Sequence, residues 1–355
     1  MSRFHALTVA DIKRETPDSV SIAFSVPDPL KSEFRFTPGQ FLTVRTVLGG
    51  EECRRSYSIC SGADEPEMRV AIKKTPGGRF STFANEILRP GAQLDVMPPE
   101  GRFTADAGYG RRLVFFAAGS GITPVLSIIR SALAASPDSR VTLFYGNRTT
   151  NSIMFREALE DLKDRYLDRL SVFHILSRES QDIDILNGRI DGEKVALLAR
   201  TLVRPDEVDG YFLCGPYGLV EEGRAALLAA GAQASHIKIE LFSTEGTPKP
   251  APIVVHAADQ PATAARVDCV LDGVTYHLDV KADQRIVDAA HEQGVELPYS
   301  CKGGMCCTCR CKVAEGEVVM DVNYSLEPWE IEAGFVLACQ SRPVGQKVKL
   351  DFDAA

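Results

Sequence analysis

Half of the ten cysteines in this 355-residue chain lie within eleven residues, in the stretch "YSCKGGMCCTCRC" over 299–311. Nothing else in the sequence limits the fold so strongly. The first residues, "MSRFHALTVADIKRE", lack the apolar core of a signal peptide, and no apolar run approaches the ~18 residues of a membrane span. The expected location is therefore cytoplasmic, where thiols stay reduced. Crowded cysteines there serve as ligands or redox groups rather than as disulfides.

The spacing selects among ligand types. Cys301, Cys306 and Cys309 read C-x4-C-x2-C, and Cys339 follows 30 residues later in "LACQ". This is the plant-type [2Fe–2S] spacing, in which four thiolates hold two irons and three of them come from one wrapping loop. Gly303 and Gly304 let backbone N–H groups approach the sulfurs. Cys307 and Cys311 fall outside the spacing and are read as a small neighbour and a strand residue. A zinc ribbon is the competing reading. It needs two C-x2-C knuckles or added histidines, but only Cys306/Cys309 forms a knuckle, and His291 has no partner at a fitting spacing.

A chain this long predicts two or three domains. Net charge is −8, which gives no basic footprint for nucleic acid or an anionic membrane. Residues 1–107 show period-two apolar patterning ("SVSIAFSV", "QFLTVRTV", "MRVAIKKT") broken by Pro-Gly and Gly-Gly turns, which predicts an antiparallel β-barrel. Over 108–243, continuous apolar strands ("RRLVFFAAG", "VTLFYG", "LSVFHIL", "GYFLCG", "IKIELF") alternate with helical patterns, so a parallel α/β sheet covered on both faces is expected. The segment between "LSVFHIL" and "GYFLCG" reads as a loop. Residues 244–264 read as a linker that enters a strand early. Residues 265–355 are expected to form an α+β domain of β-grasp type around the cysteines, opening with a hairpin at Asp272-Gly273.

Two further motifs suggest cofactors. In "CRRSYSIC", Arg55-Ser56-Tyr57-Ser58 is followed about twenty residues later by "TPGGRFSTF". A flavin needs a flat wall, a hydrogen bond near its reactive nitrogen and a phosphate cradle. Tyr57 suits the wall, Ser58 the hydrogen bond and Arg55 the phosphate. Gly77, Gly78, Ser81 and Thr82 open a helix whose N-terminus suits a pyrophosphate. The residues alone leave FMN and FAD both open.

"FFAAGSGITP" sets Gly119-Ser120-Gly121-Ile122-Thr123-Pro124 between strand and helix, and "FLCGPYG" ends a second strand with Cys214-Gly215-Pro216. Both turns are expected at the carboxyl edge of the sheet, where nucleotides bind in open α/β folds. Arg148, after the next strand, stands where an acidic residue would favour a free ribose 2′-hydroxyl. An arginine favours a 2′-phosphate instead, so NADPH is the expected donor.

In this order, the R-x-Y-S, G-G-x-x-S, G-x-G-x-x-P and C-G-P motifs and the plant-type cluster resemble the ferredoxin–NADP reductase superfamily fused to a ferredoxin, over essentially the whole chain. "YGNRTTNSIMFREALEDLKDRY", "CKGGMCCTCRCKV" and "NYSLEPWEIEAGFVLACQ" narrow the resemblance to reductase components of the ring-epoxidising monooxygenases of phenylacetate catabolism. The resemblance implies FAD held by Arg55, Ser56, Tyr57, Ser58, Ile72, Lys73, Gly77, Gly78, Ser81 and Thr82. It implies NADPH at Gly119, Gly121, Thr123, Pro124, Arg148, Cys214 and Gly215, with Phe242 and Glu240 covering the flavin. Ser58, Thr123, Cys214 and Glu240 would be the catalytic set, and Cys301, Cys306, Cys309 and Cys339 the cluster ligands. The implied partners are the di-iron oxygenase subunits of the same system. From residue 263 onward fifteen acidic and nine basic residues occur, so most of the net charge lies there and suits docking to a basic patch. Two other readings stand beside this one: a reductase for another oxygenase, Rieske or di-iron, and an iron–sulfur redox sensor without turnover.

Overall fold

The computed structural model describes residues 4–105, 111–203, 205–243, 250–255, 264–281 and 283–354. These residues fall into two compact units, divided between 243 and 250. Among them, no helix is long and apolar enough to cross a membrane. The expected boundary at 107/108 lies outside the described residues.

The first unit begins with β1 (His5–Thr16), β2 (Ser19–Ser25), β3 (Phe41–Leu48), β4 (Glu51–Ser58), β5 (Met68–Lys73), α1 (Arg79–Glu86) and β6 (Gln93–Val96), with strand order β4-β3-β6-β1-β2-β5. Ile59 bridges Val70, and the Cys60 N–H donates to the Arg69 carbonyl at 2.8 Å, which brings the two edges together as a barrel. Period-two patterning turns Leu7, Val9, Ile22, Leu42, Val44 and Ile72 inward. At ~1.5–3 kcal/mol for each fully buried large aliphatic side chain, this interior is what holds the register.

The same unit continues with β7 (Arg112–Ala118), α2 (Ile122–Ala135), β8 (Arg140–Asn147), α3 (Arg156–Arg165), β9 (Leu170–Leu176), α4 (Gly192–Leu202), β10 (Gly210–Pro216), α5 (Gly223–Ala229) and β11 (Ile237–Ser243). All five strands are parallel, in the order β11-β10-β7-β8-β9. Both faces are buried. Phe115, Ala117 and Tyr145 face α2, whereas Val114, Phe116 and Leu213 face α4 and α5. This is why the strands read as unbroken apolar runs. The order reverses between β7 and β10, which places their carboxyl ends side by side at a switch point. α2 docks on the barrel through the Ser127 hydroxyl, which donates to the Ser61 carbonyl at 2.7 Å, and through an Arg130–Glu65 ion pair at 2.9 Å.

α4 corrects the loop expected between β9 and β10. Asp191 caps it by accepting the Lys194 N–H at 2.9 Å, and Val195, Leu198 and Ala199 bury one stripe. A parallel crossover to the far side of β7 requires a covering element there, and chain topology supplies that demand where periodicity did not.

The second unit contains β12 (Ile253–Val255), β13 (Ala264–Leu271), β14 (Val274–Lys281), α6 (Ile286–Glu292), β15 (Arg310–Met320), α7 (Pro328–Glu332), β16 (Phe335–Leu337) and β17 (Ser341–Asp351). The sheet order is β12-β15-β17-β13-β14, with β16 paired to β15 and with β13 and β17 parallel. α6 buries Ile286, Val287, Ala289 and Ala290 in the core of this unit. β12 lies in the stretch read as linker and is an edge strand of this sheet. The Asp272-Gly273 turn joins β13 to β14 as expected, with both residues at positive φ.

Candidate functional site

The two glycine turns meet at the switch point. A Cβ on Gly121 would lie 2.2 Å from the Cys214 carbonyl oxygen, so only glycine lets the β7 and β10 turns close on each other. The Tyr145 hydroxyl donates to the Gly119 carbonyl at 2.9 Å and ties the first turn to β8. A side chain at Gly119 would meet nothing, which leaves open space beside that turn. Thr123 is buried, and its hydroxyl returns to the Ser120 carbonyl at 3.0 Å, so here it shapes the turn. Pro124 sits in the first turn of α2, where its missing N–H costs nothing. Gly215 follows Cys214 at the carboxyl end of β10.

Cys214 and Glu240 are register partners on β10 and β11, with the Cys214 Sγ 3.9 Å from a Glu240 carboxylate oxygen. Burial pushes the Glu240 carboxyl up to about 8 and the Cys214 thiol well above its usual range. Near pH 7 this corner holds a carboxylic acid beside a neutral thiol. Phe242, two residues on, packs against the α2-side core.

The linkage has a definite sign. The folded chain keeps the Glu240 proton to higher pH than the unfolded chain, so stability is lost as pH rises from about 4.5 to about 8. Glu240→Gln is expected to match the parent in thermal melts near pH 4.5 and to exceed it above pH 8, by at most ~5 kcal/mol for the full shift and by less to the extent that solvent reaches the half-buried carboxyl. Equal pH profiles for the two proteins would refute the raised Glu240 carboxyl.

At the carboxyl ends of β8 and β9, Arg148 and Arg178 are both on the surface, and the Arg178 N–H donates to the Arg148 carbonyl at 2.8 Å. Glu179 accepts from the Thr150 N–H and hydroxyl at 2.8 and 2.6 Å, which locks the two loops together and holds its own carboxyl below the usual range. Arg178 was not among the residues expected from sequence. Its pairing with Arg148 comes from the β8–β9 register, 30 residues apart in the chain.

On the barrel, Arg55 and Tyr57 alternate with Ser56 and Ser58 along β4. Arg55 is exposed, with its guanidinium anchored on the Arg54 carbonyl at 2.6 Å, and Ser58 is buried. The Tyr57 ring leans on Phe80 of α1, with centroids 5.4 Å apart. Ser56 approaches Thr43 at 3.4 Å. Gly78 stands at the N-cap just before α1, and a Cβ there would strike the Thr75 and Ser81 hydroxyls at 2.2 and 2.4 Å. Ser81 accepts from the Thr75 N–H at 3.1 Å, and the Thr82 N–H donates to the Gly78 carbonyl, so Ser81 and Thr82 here serve the turn. Gly77, at φ 69°, opens onto free space, which suits a phosphate approaching the main chain at this helix start. The Ile72 side chain lies in the barrel core, and Lys73 pairs with Asp18 at 3.6 Å.

In the second unit, the loop between α6 and β15 carries Cys301, Cys306, Cys307 and Cys309, and the β16–β17 turn brings Cys339 to them. Cys306 donates to Cys301 and Cys309 to Cys339. Those contacts, with the Gly303 and Gly304 N–H groups aimed at the two acceptor sulfurs, hold Cys301 and Cys339 below the ordinary thiol range. The Gly303 N–H lies 3.3 Å from the Cys301 Sγ. The loop curls through left-handed backbone at Lys302, Gly304 and Cys307, which turns its N–H groups inward. Cys307 donates to Ser325 at 3.0 Å, and Cys311 is a buried strand residue.

The donor set discriminates between metals. Zinc sites usually pair two C-x2-C knuckles or add histidines, whereas here Cys306 and Cys309 form the one knuckle in the loop. Two neighbouring thiol pairs suit a two-iron centre, which takes two thiolates at each iron. Cys301 and Cys306 would hold one iron, and Cys309 and Cys339 the other.

A flavin-type barrel, a parallel-sheet nucleotide unit and a β-grasp iron–sulfur unit on one chain define an electron-transfer reductase. The chain matches three families in succession: the oxidoreductase FAD-binding domain over residues 6–105, the oxidoreductase NAD-binding domain over 115–224 and the 2Fe-2S iron–sulfur cluster binding domain over 269–344. It belongs to the family of FAD- and [2Fe–2S]-containing reductase components of multicomponent oxygenases. It is 46% identical to the E subunit of 1,2-phenylacetyl-CoA epoxidase from Escherichia coli K12, over 100% of this chain and 99% of that one. It is 36% identical to the ferredoxin reductase component of 3-ketosteroid-9-alpha-monooxygenase from Rhodococcus rhodochrous, over 99% and 97%. The fold is also that of phthalate dioxygenase reductase, with a TM-score of 0.60 and 21% identity over 98% of each chain.

Proposed function

We propose that this reductase takes its electrons from NADPH and delivers them to the di-iron oxygenase subunits of a phenylacetyl-CoA epoxidase. The observation that carries the partner is the 46% identity to a component of that epoxidase over the full length of both chains, against 36% to the ketosteroid enzyme's reductase. FAD, when bound, exchanges two electrons with a nicotinamide and single electrons with an iron–sulfur centre, which is the conversion an oxygenase needs.

The chain's own residues position and hold. Arg55, the N–H groups around Gly77 and Gly78, and the start of α1 bind the flavin's phosphates. Tyr57 walls the ring, and Ser58 supplies its hydrogen bond. The paired turns at Gly119–Gly121 and Cys214–Gly215 seat the nicotinamide half of the nucleotide, where close approach of the two rings governs rate. Glu240 holds a proton at its carboxyl beside Cys214, which keeps negative charge away from the place where hydride leaves the nicotinamide.

Arg148 supports NADPH over NADH, and its neighbour Arg178 strengthens the case, since two surface guanidinium groups suit a 2′-phosphate. Arg148→Glu is expected to lower the NADPH:NADH preference in flavin reduction by about 10- to 100-fold, chiefly through KM. An unchanged ratio would remove Arg148 from the nucleotide site. The partner is tested by NADPH consumption with purified phenylacetyl-CoA epoxidase oxygenase subunits. Consumption that depends on phenylacetyl-CoA is expected. Turnover only with a ketosteroid or other oxygenase would move the chain to that system.

A further inference from the structure

Gln340 directly follows Cys339 and is 2% exposed. Its main chain is clamped: the N–H donates to the Leu337 carbonyl at 2.8 Å, and the carbonyl accepts the Asp321 N–H at 2.9 Å. The side chain then runs back under the cysteine loop. Its Nε2 lies 2.8 Å from the Lys302 carbonyl, 3.1 Å from the Cys339 carbonyl and 3.6 Å from the Cys339 Sγ. All three neighbours are acceptors, so the group facing them is the amide nitrogen and not its oxygen. One N–H goes to Lys302, and the other is shared between the carbonyl and sulfur of Cys339. Gly304 leaves room for this path: a Cβ there would sit 3.4 Å from the Gln340 Cγ and 2.9 Å from the Val322 carbonyl.

Adding an electron to the iron–sulfur centre adds negative charge among its sulfurs. A donor aimed at a ligating sulfur stabilises the reduced form more than the oxidised form and raises the reduction potential. In a buried site that donor keeps its full weight. A second effect is mechanical. The Lys302 carbonyl belongs to the arm that carries Cys301, so one amide links the two thiol pairs.

We propose that Gln340 is a positioning residue of the iron–sulfur centre: its amide ties the Cys301 arm to the Cys339 arm and donates to the Cys339 sulfur, making the centre easier to reduce than four cysteines alone would. The proposal rests on Cys339 being a ligand, and that premise has its own check. Cys339→Ser must change the visible and EPR spectra of the holoprotein, and unchanged spectra would remove the premise rather than the role of Gln340.

The test of the role is a potentiometric titration of full-length holoprotein carrying Gln340→Met, which keeps length but has no N–H, or Gln340→Glu. At the parent's midpoint, the ratio of reduced to oxidised centre is expected to fall three- to tenfold in both, tenfold being ~59 mV for one electron. Flavin reduction by NADPH should be unchanged. Centres that titrate within twofold of the parent in both variants would overturn the proposal. Should neither variant retain its centre, the parent protein decides. With 15N placed only in glutamine side-chain amides, pulsed EPR of the reduced centre is expected to show a 15N coupling, and its absence overturns the proposal.

Discussion

Cys306→Ser is expected to abolish the iron–sulfur absorbance and to cut electron delivery to a one-electron acceptor such as cytochrome c by at least ~100-fold, the upper end of what losing a mere outer-shell contact costs. The reason is the pairing of thiols. Cys306 is the thiol partner of Cys301 at its end of the site, so its loss would leave one iron with a single protein thiolate, and a hydroxyl is a poor substitute for a soft thiolate. Flavin reduction by NADPH should survive at near-parent rate, because the barrel and the parallel sheet form a compact unit of their own. A parallel substitution, Cys307→Ser, should leave the absorbance intact, since Cys307 turns its sulfur to Ser325. If Cys306→Ser also stopped flavin reduction, the separation into two working units would be wrong.

The second large effect concerns stability. Arg310 directly follows Cys309, one of the four proposed cluster ligands. Its Nε lies 2.8 Å from a Glu330 carboxylate oxygen, and its guanidinium sits 3.6 Å above the centre of the Phe335 ring. Glu330 is fully buried and also accepts the Glu327 N–H at 2.9 Å, which starts α7. Glu330→Ala strands a buried cation and is expected to cost about 3–5 kcal/mol and to hasten loss of the iron–sulfur centre. Glu330→Gln keeps an acceptor oxygen for only one of the two N–H donors and turns its amide NH2 toward the other, so it should recover only part of that loss. Replacing the pair together, Arg310→Met with Glu330→Leu, should recover much of the loss, because well-packed apolar groups replace buried ion pairs at little cost. Thermal unfolding of the holoprotein, followed at the iron–sulfur band, is the measurement. Additive losses in the double variant would mean that the pair does not act as a unit.

Chemistry carried on contiguous residues was legible before any coordinates. The cysteine spacing, the glycine turns and the apolar runs each encode a local geometry, because ligand bite, positive φ and strand burial are set within a few residues. The families matched by the chain agree with that reading of FAD, NAD and [2Fe–2S] domains. α4 was missed because "EKVALLARTL" carries only a short apolar stripe, and its partner is the far face of a sheet whose strand order the sequence does not print.

What belonged to the sequence alone was therefore the inventory: which cofactors suit the chain, and which cysteines are spaced to hold iron. What only the tertiary structure decided was juxtaposition. The Cys214–Glu240 contact, the Arg148–Arg178 pair, the Arg310–Glu330 ion pair and the reach of Gln340 to Lys302 each join residues 20 or more positions apart. Such contacts follow from strand register and burial, which are properties of the packed whole, and it is burial of this kind that raises the Glu240 carboxyl above its ordinary range.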